Sequence, residues 1–301
     1  MCLQDFMENV VVVIRRRLGE GYQVKGKDIL KNNGVTKHAV TICREDEAIT
    51  PCIYIDDLYT RYLEGNADIS SAAEGVLNAY REHAAGPGMD LPLFADPGDI
   101  ITKVHGRLIN TEMNCRLLEE IPHRRFLDLS LIYAMRLPQC RATAREIPIR
   151  NDYLDILGIN ETDLYDAVCK KIGDPDDVSL KEMEEVLGAW MGGEAGMGAA
   201  GCPMHILTDK DCHNGAVQLL NKTALDLTAD HIGTNDLIIL PSSIHELIIL
   251  PADRGKEEPG YLKELADIVR TVNDTEVLEQ EILSYHVYRY SRETGEVTIA
   301  A

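Results

Sequence analysis

Ser242, Ser243, His245 and Glu246 stand within five residues, the densest set of reactive side chains in the chain. A serine becomes a nucleophile when a nearby base accepts its proton and a third group orients that base. In an extended segment Ser243 and His245 share a face and Glu246 points away. Neighbours alone therefore complete no triad, and a carboxylate from elsewhere in the chain is required. The stretch lacks a Gly-x-Ser-x-Gly elbow. His245-Glu246 begins like His-Glu-x-x-His, but Ile249 holds the second histidine position. The simpler reading is a serine turn: Ser242 or Ser243 receives backbone amides and His245 pairs with a neighbouring strand. The catalytic candidates are Ser242, Ser243, His245 and Glu246.

A second set, Cys202, His205, Cys212 and His213, has the spacing C-x2-H-x6-C-H. Zinc takes four sulfur or nitrogen ligands, and a tight hairpin around Thr208–Asp211 could bring two from each arm together. The spacing matches no recurrent finger pattern, and adjacent residues on a regular strand point to opposite faces. Two thiols and two surface histidines explain the same letters. These four are the metal candidates, zinc is the one cofactor they suggest, and no other cofactor is expected.

Gly196–Gly201 spells G-x-G-x-x-G, but a helical pattern precedes it and a predicted strand follows. A pyrophosphate cradle needs the reverse order, strand then helix, so a glycine-rich linker over 191–203 is the better reading. Asp56-Asp57, Asp174–Asp177 and Asp209-x-Asp211 read as acidic turns and helix caps rather than calcium loops. Arg15–Arg17 and His123–Arg125 are basic clusters, most simply solvated charge.

Elements follow from periodicity. Apolar residues at helical spacing predict a helix over 3–18, with Arg15–Arg17 suited to its C-terminal dipole. Strands are predicted at 22–30, 36–43 and 49–55, with a turn at Asn32-Asn33-Gly34. A helix capped by Asp56 and another over 68–84 follow, and the Gly- and Pro-rich 86–98 marks a domain boundary. Beyond it come an apolar run over 100–109, a helix through Leu118, and paired strands at 126–137 and 142–149. Helices are predicted at 151–158, 161–172 and 179–190, strands at 204–208 and 214–220, and a helix at 221–231. Leu-Ile-Ile-Leu-Pro then occurs twice, at Leu237 and Leu247. Each copy is a buried strand that stops at a proline, which donates nothing to a ladder. A helix at 259–273 and strands at 285–290 and 296–300 close the chain.

The 301 residues carry 50 acidic and 30 basic side chains, a formal charge of −20. That disfavours direct binding to nucleic acid or to an anionic membrane. The longest apolar run near the N-terminus, Val10–Ile14, is too short to span a bilayer. Eight scattered cysteines with no C-x-x-C pair fit buried thiols in a reducing cytoplasm.

The fragments NNGVTKHAVTI, TPCIYIDDLY, IPHRRFLDLSLIY, LPSSIHELIILP and VRTVNDTEVLEQEILSYHVYRY resemble a bacterial family, found mainly in anaerobic Firmicutes, known as domain of unknown function 5688. The resemblance spans nearly the whole chain and implies a shared fold, with no activity, cofactor or catalytic residue attached.

The expected class is α+β, with mixed or antiparallel sheets and helices packed on one face, in two units. The first, 1–95, holds a helix, a three-strand meander and two helices. The second, 96–301, centres on the two LIILP strands with helices 221–231 and 259–273 on one face, a helical insert at 151–190 and the linker at 191–203. The expected function is that of an acidic cytoplasmic protein that binds a protein or small-molecule partner without catalysis. The alternative is a hydrolase using Ser243 or Ser242 with His245. A zinc-stabilised module and an acidic mimic of nucleic acid are further readings.

Overall fold

Phe6, Met7, Val10, Val11 and Ile14 recur on one face of a helix, and all five are buried. That helix, α1 (Leu3–Leu18), opens a computed structural model that describes residues 1–44, 52–84, 97–136, 146–190, 204–252 and 260–301. The chain divides into two units, Met1–Asp96 and Pro97–Ala301.

In the first unit α1 packs on a three-stranded antiparallel sheet of β1 (Tyr22–Leu30), β2 (Thr36–Arg44) and β3 (Cys52–Tyr54). Helices α2 (Asp56–Leu63) and α3 (Ile69–Ala84) complete it. Val24, Val40, Ile42 and Ile53 of the sheet meet Ala72, Ala73, Val76 and Leu77 of α3 and the buried face of α1. The turn after β1 is a 3-10 turn in which Asn33 takes a positive φ of 59°, a conformation asparagine tolerates better than most residues. Asp56 does not cap α2, whose N-cap is Ile55. Its carboxylate instead accepts from the His38 backbone N–H at 3.1 Å and pairs with His38 Nδ1 at 3.0 Å.

The second unit contains two antiparallel sheets. The smaller has β4 (Val104–Asn110), β5 (His123–Phe126), β6 (Leu129–Arg136) and β7 (Glu146–Pro148). β6 lies between β4 on one side and β5 and β7 on the other. Helices α4 (Pro97–Lys103), α5 (Cys115–Leu118), α6 (Asn151–Leu157) and α7 (Glu161–Ile172) accompany it. The larger has six strands: β8 (Val178–Glu182), β9 (His205–Asp209), β10 (Asp236–Pro241), β11 (Glu246–Ala252), β12 (Tyr288–Ser291) and β13 (Glu296–Ile299). Their order is β13-β12-β10-β11-β9-β8, so the two LIILP strands form its centre. They pair in opposite directions, Leu237 against Pro251 and Ile239 against Ile249. Helices α8 (Met183–Trp190), α9 (Lys222–Ile232) and α10 (Tyr261–Thr275) belong to this part of the chain.

Strand alternation sorts these helices. Ile238, Leu240 and Leu250 pack with Leu265 and Val269 of α10. Tyr290, opposite Leu237 and so on the other face, donates its hydroxyl to Asp226 of α9 at 2.6 Å. The two helices expected on one face therefore meet the sheet from different sides. On that second face Tyr288 donates to Asp128, in the β5–β6 turn, at 2.8 Å, and Ser284 donates to the same carboxylate at 2.7 Å. These bonds tie the smaller sheet to the larger.

The α+β class and antiparallel sheets hold, and several local expectations change. Residues 100–103 are helical, within α4. The run 126–137 is broken at Leu127, whose φ is 56°, so Phe126 ends β5 and β6 starts at Leu129. Residues 179–182 form β8 instead of a helix start, because they pair with β9. The strand expected at 214–220 is a 3-10 helix, Gly215–Leu220. Residues 45–51, most of 86–98, residues 137–145 and the whole 191–203 stretch lie outside the described residues. Cysteine burial is also corrected: of the six described free thiols, Cys2, Cys52, Cys115, Cys169 and Cys212 are exposed and Cys43 is half-buried. No helix is long and apolar enough to cross a membrane, among the described residues.

Candidate functional site

β4 is an edge strand whose alternate residues take opposite roles. Gly106 faces α7: a Cβ there would lie 2.6 Å from Val168 Cγ1 and 2.8 Å from Leu131 Cδ1. Its bare backbone lets α7 close on the strand. His105 and Arg107 therefore point to the other side. His105 stands opposite Ala134 of β6, and Glu146 pairs with Arg136 on β6's far edge. The small Ala134 leaves room above β6, and the Glu146 carboxylate reaches across to His105 Nε2 at 2.8 Å.

The loop after β9 completes the arrangement. Cys212 and Asn214 both take positive φ, 53° and 62°. The Asp209 carboxylate holds the intervening turn by accepting from His213 N–H at 2.7 Å. Gly215 then presses on β9, where a Cβ would lie 2.3 Å from the Asp209 amide nitrogen. So positioned, Asn214 Nδ2 donates to Glu146 Oε1 at 2.6 Å, and His213 Nε2 approaches the same oxygen at 3.1 Å. Arg107 Nη1 lies 3.7 Å from Oε2. The Glu146 side chain is only 9% exposed. Burial alone would push its carboxyl up, but the hydrogen bonds from His105 and His213, with the charges of His105 and Arg107, hold it well below the usual carboxylate range.

Four buried polar atoms nearby make no hydrogen bond: His105 Nδ1, Arg107 Nε, Asn214 Oδ1 and Gln218 Nε2. Native interiors rarely leave such groups orphaned, so a cluster of them marks a place where something else binds. Two of these residues, His105 and Asn214, line a cavity of about 210 Å³, together with Lys103, Lys171, Asp209 and His213 among others. Lys210, Asp177 and Asp211 also border it, so it presents both signs of charge.

Ser242, Ser243, His245 and Glu246 are brought together, in a capping geometry. Ser243 Oγ accepts from the His245 backbone N–H at 3.0 Å, and Ser242 Oγ donates to Glu246 at 3.2 Å. His245 Nδ1 accepts from Asn214 N–H at 3.1 Å, which places the ring proton on Nε2. The nearest carboxylate to Nε2, Glu281, is 3.9 Å away, beyond hydrogen-bond distance. No serine–imidazole hydrogen bond occurs among the described residues. The 243–250 stretch is extended only from Glu246 onward. Burial pulls the His245 pKa down, and the charge of neighbouring His213 adds to this. The two rings lie 4.9 Å apart, centroid to centroid.

Of the four metal candidates, the three that are described, His205, Cys212 and His213, are not brought to one point. His205 begins β9, and Cys212 and His213 follow its other end. Five strand residues extend roughly 13 Å between first and last Cα. Cys212 is exposed, and Cys202 lies outside the described residues. His213 belongs instead to the Glu146 cluster. Sequence reasoning missed Glu146, His105, Arg107 and Asn214. The signal available was the alternation His105-Gly106-Arg107 on a strand, with polar residues on one face and a glycine on the other.

No curated protein and no solved structure matches the chain. A model described as "Family of unknown function (DUF5688)" matches residues 3–292. The sequence resemblance and this match agree over nearly the whole length, and the chain belongs to the DUF5688 family.

Proposed function

We propose that this is a cytoplasmic, non-catalytic binding protein whose C-terminal unit takes a small zwitterionic molecule of about amino-acid size in the cavity beside Glu146. The observation that carries the reading is the set of orphaned polar atoms around an ionised, nearly buried carboxylate. Of the residues that line the cavity, His105 leaves Nδ1 and Asn214 leaves Oδ1 without a partner for the ligand to meet. The lysines and aspartates at the rim suit a ligand carrying both charges. The cavity is too small for a macromolecular segment of any length. The exposed free thiols favour a reducing compartment. The hydrolase alternative has the right residue types but no nucleophile–base hydrogen bond to support it.

The test is a thermal-shift screen against the common amino acids, short diamines and dicarboxylates, followed by calorimetry on any hit. A ligand at about a hundredfold its Kd stabilises the fold by roughly 2.7 kcal/mol. A hit lost in His213→Ala supports the reading. No stabilisation by any compound, or a hit that His213→Ala and Asn214→Ala leave intact, sinks it.

A further inference from the structure

His205, which takes no part in the Glu146 cluster, belongs to another group. β8 and β9 run antiparallel, with Glu182 directly opposite His205. Opposed residues project to the same face with Cβ atoms about 5 Å apart. That is the face α9 meets, and the last turn of α9 carries His231. The His205 and His231 rings lie edge to face, 5.6 Å between centroids. One ligating atom from each of Glu182, His205 and His231 lies within 4.8 Å of the others. The Glu182 and His231 side chains make no hydrogen bond or ion pair among the described residues. Both are exposed, so their rotamers can adjust.

We propose that Glu182, His205 and His231 form a binding site for a divalent transition metal of the zinc class. Two imidazoles and one carboxylate are a known zinc donor set, leaving a fourth position for water. Tetrahedral coordination at 2.0–2.1 Å separates ligand atoms by about 3.3 Å. The two exposed side chains, Glu182 and His231, are the ones free to rotate as the spacing closes from 4.8 Å. α9 supplies a second favourable term. Its C-terminal end, capped by Gly233 at φ 79°, directs the negative end of the helix dipole toward this region. Oxygen-seeking calcium and magnesium prefer sites with more carboxylates and no imidazole, so they are the poorer fit.

This set shares only His205 with the C-x2-H-x6-C-H pattern, and that separates the two ideas experimentally. Chelator-treated full-length protein is titrated with zinc chloride by calorimetry and with cobalt(II) chloride by visible absorption. The expected result is one equivalent bound, with tetrahedral or five-coordinate cobalt bands. His231→Ala and Glu182→Gln should each weaken zinc by at least about tenfold. Cys212→Ser and His213→Ala should leave the affinity unchanged. Circular dichroism of the two ligand variants checks that they fold, and Glu182→Gln preserves the shape of the side chain. Absence of stoichiometric binding overturns the site. So does binding that survives both His231→Ala and Glu182→Gln, or that disappears with Cys212→Ser.

Discussion

Each unit holds a half-buried imidazole against a carboxylate, and the two pairs do different work. In the N-terminal unit Asp56 gives one oxygen to the His38 ring and the other to its backbone amide. The pair pins the start of α2 to β2, and the other ring nitrogen of His38 lies 3.8 Å from Asp28 of β1. In the C-terminal unit Glu146 gathers His105, His213, Asn214 and Arg107 from β4 and the loop after β9. That cluster still leaves donors and acceptors unmatched. A carboxylate that gives both oxygens to a single residue serves architecture. One that collects partners from distant elements, and leaves some of them incomplete, is arranged for something beyond the fold.

Removing the carboxylate from each pair gives the widest separation. Glu146→Ala strips a nearly buried ion from two imidazoles, an amide and a guanidinium. Loss of one partner from such a set costs roughly 3 kcal/mol. Asp56→Ala removes a more exposed group, 24% accessible, whose partner can turn to water, and should cost about 1 kcal/mol. Urea unfolding of both variants measures the difference. Equal losses would erase the distinction between the two carboxylates.

Glycines offer the same contrast at a smaller scale. A Cβ on Gly215 would lie 2.1 Å from Thr208 Oγ1 and 2.3 Å from the Asp209 backbone nitrogen. A backbone cannot swing aside, so Gly215→Ala should cost about 2 kcal/mol and displace Asn214 from Glu146. A Cβ on Gly26 would lie 2.8 Å from Met7 Sδ. That is a flexible thioether, able to move. Gly26→Ala should cost less than about 1 kcal/mol, partly offset by its lower unfolded-state entropy. Thermal denaturation of the pair decides it: a Gly26→Ala loss as large as that of Gly215→Ala would show that the two close approaches are equally rigid.

Much of the scaffold was legible in the chain. The helical face of α1 and the paired LIILP strands follow from apolar spacing alone, because burial enforces it. What was not legible is anything that tertiary pairing decides. Residues 179–182 read as helix until β9 supplies a partner. Gly215–Leu220 has the apolar content of a strand, but Gly215 is packed too tightly on β9 to extend. The site failed for a related reason. Glu146 is 41 residues from His105 and 68 from Asn214, and only the β4–β6–β7 ladder and the loop after β9 bring them together. The Ser242–Glu246 group drew attention by local density, which turn-forming residues share with active sites.

Acidification acts on two groups of the C-terminal unit in the same direction. His245 has a folded-state pKa below its ordinary 6.5, because burial and His213 disfavour its charge. The unfolded chain therefore binds more protons just below that value. His245's contribution to stability is present above it and is lost as pH falls through the folded-state pKa. Glu146 is also depressed. Its contribution is present above the ordinary carboxylate range and declines below it. The melting temperature should fall in two stages on acidification, the first below about pH 6.5 and the second below the ordinary carboxylate range. His245→Gln should remove the first stage, and Glu146→Gln should remove most of the second. A profile that both variants leave unchanged would assign the acid sensitivity to other groups.

The smallest expected effect is at Ser243. Its hydroxyl accepts one backbone N–H in a half-buried loop, so Ser243→Ala should cost no more than about 1 kcal/mol. Its consequence for chemistry is sharper than its consequence for stability. With His245 Nδ1 already accepting from Asn214 N–H, the ring has no free lone pair with which to take the serine proton. A fluorophosphonate probe should leave the native protein and Ser243→Ala equally unlabelled. Labelling of the native protein that Ser243→Ala abolishes would mean that His245 turns over in solution and frees Nδ1. The cap would then be the resting form of an active site, and the hydrolase reading would displace the binding one.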